Sequence, residues 1–267
     1  MVFIKTVIRK SILRNWLGLL VICLLFPACA SKITQVGNVP TPTGFAPVFQ
    51  FRMTYSNIHL IKSNPAILID AGSPGEEREL ESYLKQLGLT FKDIGLVVLM
   101  HGHADHSGLA QFLKKQGSKV VLGEGDIPMA KAGRNDELKP TSLSAYFIKM
   151  FADFPMEPFV PDIVISRSQS MKQWGLDAEV RPLPGHTPGS IAIIFSDKQA
   201  FVGDLMAGGI MNGLFFSDSP GEHYFQPDIQ ATHQTVKKLL EEGIVKFYVG
   251  HGGPLLREAV LKSNLVN

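Results

Sequence analysis

The sequence predicts an α/β fold in which two similar halves pack face to face with helices outside. Three observations carry that prediction. From about residue 47 onward, short apolar runs alternate with segments of helical periodicity. The order of these segments, strands followed by helix–strand–helix, occurs twice. Several apolar runs are followed directly by histidine or aspartate, at the strand-to-loop transitions where such folds build their sites.

PVFQFRMTY (47–55), NIHLIKS (57–63) and AILIDAG (66–72) read as consecutive short strands with turn residues between them. EERELESYLKQLG carries Leu80, Tyr83, Leu84 and Leu87 on one helical stripe. LVVLM (96–100) is continuously apolar, the pattern of a strand covered on both faces. SGLAQFLKKQG predicts a helix capped by Ser107, and KVVLG (119–123) a further buried strand. Residues 124–170 hold several prolines and the aromatics Tyr146, Phe147, Phe151, Phe154 and Phe159, which suggest helical pieces of lid-like character. AEVRPLP, SIAIIFS and QAFVGD return as strands, the last two joined by a hairpin turn at SDKQ. DIQATHQTVKKLLEEG is an amphipathic helix ending at Gly243, KFYVG a strand, and PLLREAVLK a closing helix.

The N-terminus follows different rules. KTVIRKSILRNW is basic, and LGLLVICLLFPA behind it is an apolar run of 12 residues, short of the roughly 20 that span a bilayer. That pair is the layout of a secretory signal. Ala28-Cys29-Ala30 satisfies the small-x-small rule for cleavage before Ser31. The same stretch resembles a bacterial lipoprotein signal, with Cys29 lipidated. The lipoprotein reading is adopted, making residues 1–29 the signal, residues 30–46 a flexible tether rich in Pro, Gly and Thr, and residues 47–267 the folded domain. The expected location is the periplasm of a bacterium, with a lipid anchor on the membrane.

Composition excludes some chemistry. Both cysteines, Cys23 and Cys29, lie in the signal, so any metal in the domain must be held by nitrogen and oxygen. Without Lys5, Arg9, Lys10 and Arg14, the remaining 22 basic side chains face 24 acidic ones. No basic stripe offers a footing for nucleic acid. No G-x-S-x-G elbow and no P-loop occurs.

Residues 100–108 read MHGHADHSG, three histidines and an aspartate within six positions. LPGHTPGS presents His186, FVGDL presents Asp204 and YVGHGGP presents His251, each after a glycine that allows a sharp turn. His186 or Asp204 alone would more often be an ordinary polar residue at a strand end. With His-x-His-x-Asp-His upstream, in this order, they predict a metal site.

These motifs resemble the metallo-β-lactamase-fold hydrolase superfamily, over about residue 50 to the C-terminus. The resemblance implies an αβ/βα four-layer sandwich with two zinc ions, or iron, at one edge of the sheets. It assigns His101, His103 and His186 to the first metal, Asp105, His106 and His251 to the second, and Asp204 to the bridge. Asp105 is also the catalytic candidate, and Asp70 would orient a ligand histidine without binding metal. Two cations about 3.5–4 Å apart could share a hydroxide that attacks a polarised carbonyl.

Asp204 and the Gly-His-Thr-Pro-Gly around His186 are more like glyoxalase II and the lactonases than like the thiol-free β-lactamases. Hydrolysis of an ester, thioester or lactone in a small-molecule substrate is therefore expected. A β-lactamase or phosphodiesterase of the same fold and an iron-dependent sulfur dioxygenase are the alternatives. Tyr146–Phe159, Phe215, Phe216, Tyr224 and Phe225 could wall the site or simply pack the lid. His223 and Tyr224 are possible substrate contacts, with a surface role the commoner expectation for His223. His59 and His233 read as structural, His233 on an exposed helix face.

Overall fold

The computed structural model describes residues 32–266, so the signal expected at 1–29, its Cys29 and residues 30–31 lie outside the described residues. Lys32–Asn267 forms one compact unit. Its first half is a seven-stranded sheet in chain order: β1 (Ile33–Thr41), β2 (Gly44–Arg52), β3 (Asn57–Ile61), β4 (Ala66–Ile69), β5 (Ile94–Val98), β6 (Lys119–Gly123) and β7 (Ile163–Ile165). Pairing is antiparallel as far as β4 and parallel from there on. Between these strands lie helices α1 (Glu77–Gln86), α2 (Ala104–Ser107), α3 (Ala110–Lys115), α4 (Ile127–Ala132) and α5 (Leu143–Ala152).

The second half contributes β8 (Gln169–Ser170), β9 (Ala178–Pro182), β10 (Ile191–Phe195), β11 (Gln199–Gly203), a separate hairpin of β12 (Ala207–Ile210) and β13 (Phe215–Gly221), helix α6 (Ile229–Glu241), β14 (Lys246–Val249), β15 (Leu255–Leu256) and helix α7 (Arg257–Leu261). The six-stranded sheet runs in the order β15-β14-β11-β10-β9-β8.

Strand periodicity divides the side chains among three cores. In β4, Ala66 and Leu68 join Leu80, Leu84 and Leu113 beneath the helices of the first half. Ile67 and Ile69 turn the other way, into the space between the sheets, where they meet Val180, Ile193 and Phe201. In β11 and β14, Phe201 and Tyr248 face that middle core, whereas Val202, Phe247 and Val249 pack under Val236, Leu239 and Val260 of α6 and α7. The result is helix, sheet, sheet, helix, the four-layer α/β sandwich.

Three local expectations need correction. Residues 33–46 are not a tether: β1 and β2 form a hairpin on the edge of the first sheet, with Val39 and Pro40 buried. The composition misleads because an edge strand leaves many polar groups at the surface and tolerates proline. Ser107 caps no helix start. It ends α2, and its hydroxyl donates back to the carbonyls of Gly102 and His103. His233 is half-buried and lies 3.2 Å from Glu222, not on a free face. His59 is structural as expected, packed edge-on against Phe201 and Tyr248.

Val39→Ala tests the corrected boundary. Loss of two buried methyl groups from β1 should cost roughly 2 kcal/mol in urea unfolding, where a tether residue would cost nothing measurable.

Candidate metal centre

The parallel pairs β4–β5 and β11–β14 set the site. Ile69 pairs with Val98, so Asp70 and the loop carrying His101 leave the first sheet side by side. Gly203 pairs with Val249, so Asp204 and His251 leave the second sheet in the same way. The β9–β10 loop brings His186 to the same edge. Gly203 turns with φ 54°, and a Cβ on Gly250 would collide with Asp204 and with the His106 ring. Both glycines are therefore required by the approach of the chains.

The seven ligand candidates converge. His101, His103 and His186 present ring nitrogens within 4.8 Å of one another, and a carboxylate oxygen of Asp105 and ring nitrogens of His106 and His251 lie equally close together. Asp204 Oδ2 lies between the sets, 3.7 Å from His101 and His186, 3.2 Å from His106 and 3.1 Å from His251. His103 Nδ1 meets His186 Nε2 at 3.0 Å, and the Nε2 atoms of His106 and His251 are 3.3 Å apart. Nitrogens packed lone pair against lone pair repel unless a proton or cation lies between them. Both ring nitrogens of buried His101 and Oδ1 of Asp204 have no hydrogen-bond partner within the protein. An all-nitrogen-and-oxygen cluster of this kind fits divalent cations such as zinc or iron.

Three of the rings, those of His106, His186 and His103, are aimed by a contact on the far side. Asp70, at φ 65°, takes His106 Nδ1 at 2.9 Å on one oxygen and the Met100 amide at 2.7 Å on the other. His186 Nδ1 meets the Phe225 carbonyl at 2.8 Å, and His103 Nε2 meets Asp136 at 2.9 Å. Beneath the loops, buried Asp126 accepts from the Gly102 and Gly189 amides and the Thr187 hydroxyl, each at 2.7 Å. The sequence reading missed Asp126 and Asp136. Asp126 follows β6 as GEGD, the same strand-then-Gly-Asp pattern that marks Asp204, whereas Asp136 sits in a polar loop with no such signal.

Charge is finely opposed here. Burial alone would raise Asp204, but His106, His251 and His223 bring its carboxyl well below the usual range. Burial opposes a charge on His106 too, yet Asp204, Asp105 and Asp70 hold it well above an ordinary histidine. Burial, reinforced by the neighbouring rings, keeps His101 and His186 neutral and hence able to act as ligands.

His223 is not a surface residue. It is buried, with Nε2 3.2 Å from Asp204 Oδ2, and it forms a further ligand-capable group with His186 and Asp204. Its Nδ1 lies 3.2 Å from both the amide and the carbonyl of Phe225. That carbonyl already has His186 Nδ1 at shorter range, so the buried amide makes the better partner. An accepting Nδ1 puts the proton of neutral His223 on Nε2, facing the site.

Above the cluster lies a cavity of about 510 Å³. His103, Asp105, Asp204, His223 and His251 form its polar floor, and Tyr55, Leu138, Ile148, Met211, Leu214 and Tyr224 its walls. Of the expected aromatic wall, Tyr224 and Phe225 line the cavity and the rest do not. Ile148 and Ala152 of α5 face inward, while Tyr146, Phe147 and Phe151 point to solvent, as do Phe215 and Phe216. Phe159 belongs to the helix-side core of the first sheet.

Asp70→Asn and Asp136→Asn should each weaken metal binding about 10–100-fold in chelator competition. An unchanged affinity for the second would show that Asp136 does not orient His103.

Residues 52–251 match the family model described as the metallo-beta-lactamase superfamily. The chain is 34% identical to hydroxyacylglutathione hydrolase GloC of Haemophilus influenzae over 180 residues, 67% of this chain and 76% of that protein. It is 38% identical to the probable metallo-hydrolase YqjP of Bacillus subtilis over 242 residues, 82% of this chain and 71% of that one. Among solved structures, a beta-lactamase from Chitinophaga pinensis superposes with a TM-score of 0.56 at 19% identity, covering 84% of this chain and 79% of the other. TTHA1623, solved in a di-iron-bound form, superposes at 0.54 with 23% identity, covering 78% and 93%. These last two speak for the fold. With the matched region enclosing Asp70 and every ligand candidate from His101 to His251, the chain belongs to the metallo-beta-lactamase superfamily and is a metal-dependent hydrolase.

Proposed function

We propose that the protein cleaves an ester-like bond, in an ester, thioester or lactone, at a site for two metal ions. His101, His103 and His186 would hold one ion, Asp105, His106 and His251 the other, and Asp204 both. The observation that carries this reading is the position of Asp204, whose Oδ2 faces ring nitrogens of the two sets at once. Similarity to a hydroxyacylglutathione hydrolase supports transfer of an acyl group to water. Two divalent cations, zinc in this reading and iron in the alternative, supply carbonyl polarisation and a water of lowered pKa when bound.

The protein's own groups do the rest. Apolar walls of Leu138, Ile148, Met211 and Leu214 suit an acyl chain and exclude water from the floor. Although burial opposes it, His106 and His251 keep the Asp105 carboxyl well below its usual range, which favours a ligand role over that of a general base. His223 Nε2–H, at the edge of Asp204, is placed to donate to the oxygen that gains charge as the bond breaks. Tyr224 lines the same wall as a substrate contact. The basic and apolar stretches before residue 30 support an exported protein anchored through Cys29. Palmitate labelling that survives in Cys29→Ala would remove the anchor from this account.

Purified protein should carry about two metal equivalents and turn over a panel of esters, thioesters and lactones. Asp204→Ala and His103→Ala should lose metal and more than the roughly 100-fold in kcat/KM typical of outer-contact mutants. Metal-replete protein inert towards the whole panel would sink the hydrolytic reading. His223→Ala should keep its metal yet lose about 10²–10³ in kcat, with partial recovery in His223→Gln. Loss of metal in His223→Ala would make it a ligand instead of a donor.

A further inference from the structure

Two elements that wall the cavity carry apolar side chains on their outer faces as well. On α5, Ile148 and Ala152 face the cavity, while Tyr146, Phe147, Met150 and Phe151 are 60–78% exposed. On the β12–β13 hairpin, Met211 and Leu214 line the cavity mouth, while Ile210 and Phe216 are 51% and 72% exposed. Between Leu143 and Ala152 the single charged side chain is Lys149, and it turns inward to bond the Leu138 carbonyl at 2.8 Å. Residues 207–217 carry no charge, and Asp218 further along β13 is the one charged side chain of the hairpin. Isolated exposed apolar residues are ordinary, but an uncharged group on both sides of one opening marks an interaction surface.

The point where the chain enters this unit shows which partner covers it. Lys32 begins the described chain, and its carbonyl accepts from the Arg52 amide at 2.9 Å. Arg52 to Tyr55 form part of the cavity wall, and the Tyr55 ring lies 5.4 Å from that of Phe154, just beyond α5. The chain therefore enters at the cavity end of the unit. The dozen apolar residues at 17–28, behind a basic stretch, stop only a few positions before Lys32. Three or four residues span at most about 14 Å. A bilayer that takes up residues 17–28, or a lipid on Cys29, is thereby tethered within that reach of Lys32.

We propose that the apolar rim formed by α5 and the β12–β13 hairpin docks on a lipid bilayer surface, so that the cavity opens toward the membrane. Aromatic and aliphatic side chains without charge suit the headgroup–acyl boundary, and their contact should be insensitive to salt. The docking does not depend on the reaction assigned above. Where that reaction holds, it gives acyl-bearing amphiphiles a short path from the bilayer to the floor.

Full-length chain reconstituted into phosphatidylcholine vesicles with dibrominated acyl chains tests this. In a Trp16→Phe background, Phe147→Trp and Phe216→Trp each report from the rim, with Trp174 as the internal reference. Burial of roughly 5–10 Å should quench each reporter about twofold relative to Trp174, unchanged in 0.5 M salt taken as about a 4 Å screening length. Unquenched reporters on vesicle-bound protein would overturn the proposal, and so would failure to bind vesicles. A doubled mass by light scattering with the reporters shielded from bromine would assign the face to a second copy and equally overturn it.

Discussion

Three hydrogen-bond donors from opposite halves of the molecule meet on one buried carboxylate. Asp126 takes the Gly102 amide from the loop of the first sheet, and the Thr187 hydroxyl and Gly189 amide from the loop of the second. A buried carboxylate with satisfied oxygens is tolerated, whereas one robbed of donors is costly. The His101–His103 turn and the His186 turn are thus held at a fixed separation before any ligand histidine is considered. His103 and His186 can approach to 3.0 Å because the backbones beneath them are already joined.

The crowding at Asp204 Oδ2 follows from this. Five histidines lie within 3.7 Å of that oxygen, and all of them are largely removed from water. Such a group of like partners is unfavourable by itself, because burial, repulsion and attraction pull in opposing directions. Its geometry survives through outward contacts, Asp70 on His106 and the Phe225 carbonyl on His186, while Asp136 holds the adjoining His103. Cation binding turns the convergence of lone pairs from a cost into a source of affinity.

Much of the site was legible in the sequence because its placement is local. An apolar run, a glycine and a ligand residue describe one strand end, and Asp204 and His251 each carry that signature. Asp126 carries it as well but binds backbone amides and a hydroxyl, a role that the motif alone does not distinguish from metal binding. His223 has no such cue: it comes from a loop that reaches the floor only after the β12–β13 hairpin has turned back. Strand β1 was hidden by its own position, since an edge strand with Pro40 and few buried side chains has the composition of a linker. The helix at 143–152 was legible as apolar but not in orientation, because apolar residues occupy both of its faces and periodicity cannot choose between them.

The hairpin is attached quite differently from the floor below it. Asn212, at φ 52°, donates to the carbonyls of Met53 and Ser56 at 3.2 Å each, closing the tip of the hairpin against the β2–β3 turn. No ligand candidate takes part in that contact. The base of the hairpin, by contrast, is tied to the floor, where the Gly208 amide donates to the His251 carbonyl at 2.7 Å. Side-chain change at the tip, at Met211 or Leu214, can therefore reshape the cavity wall while the strand contact that holds His251 stays in place.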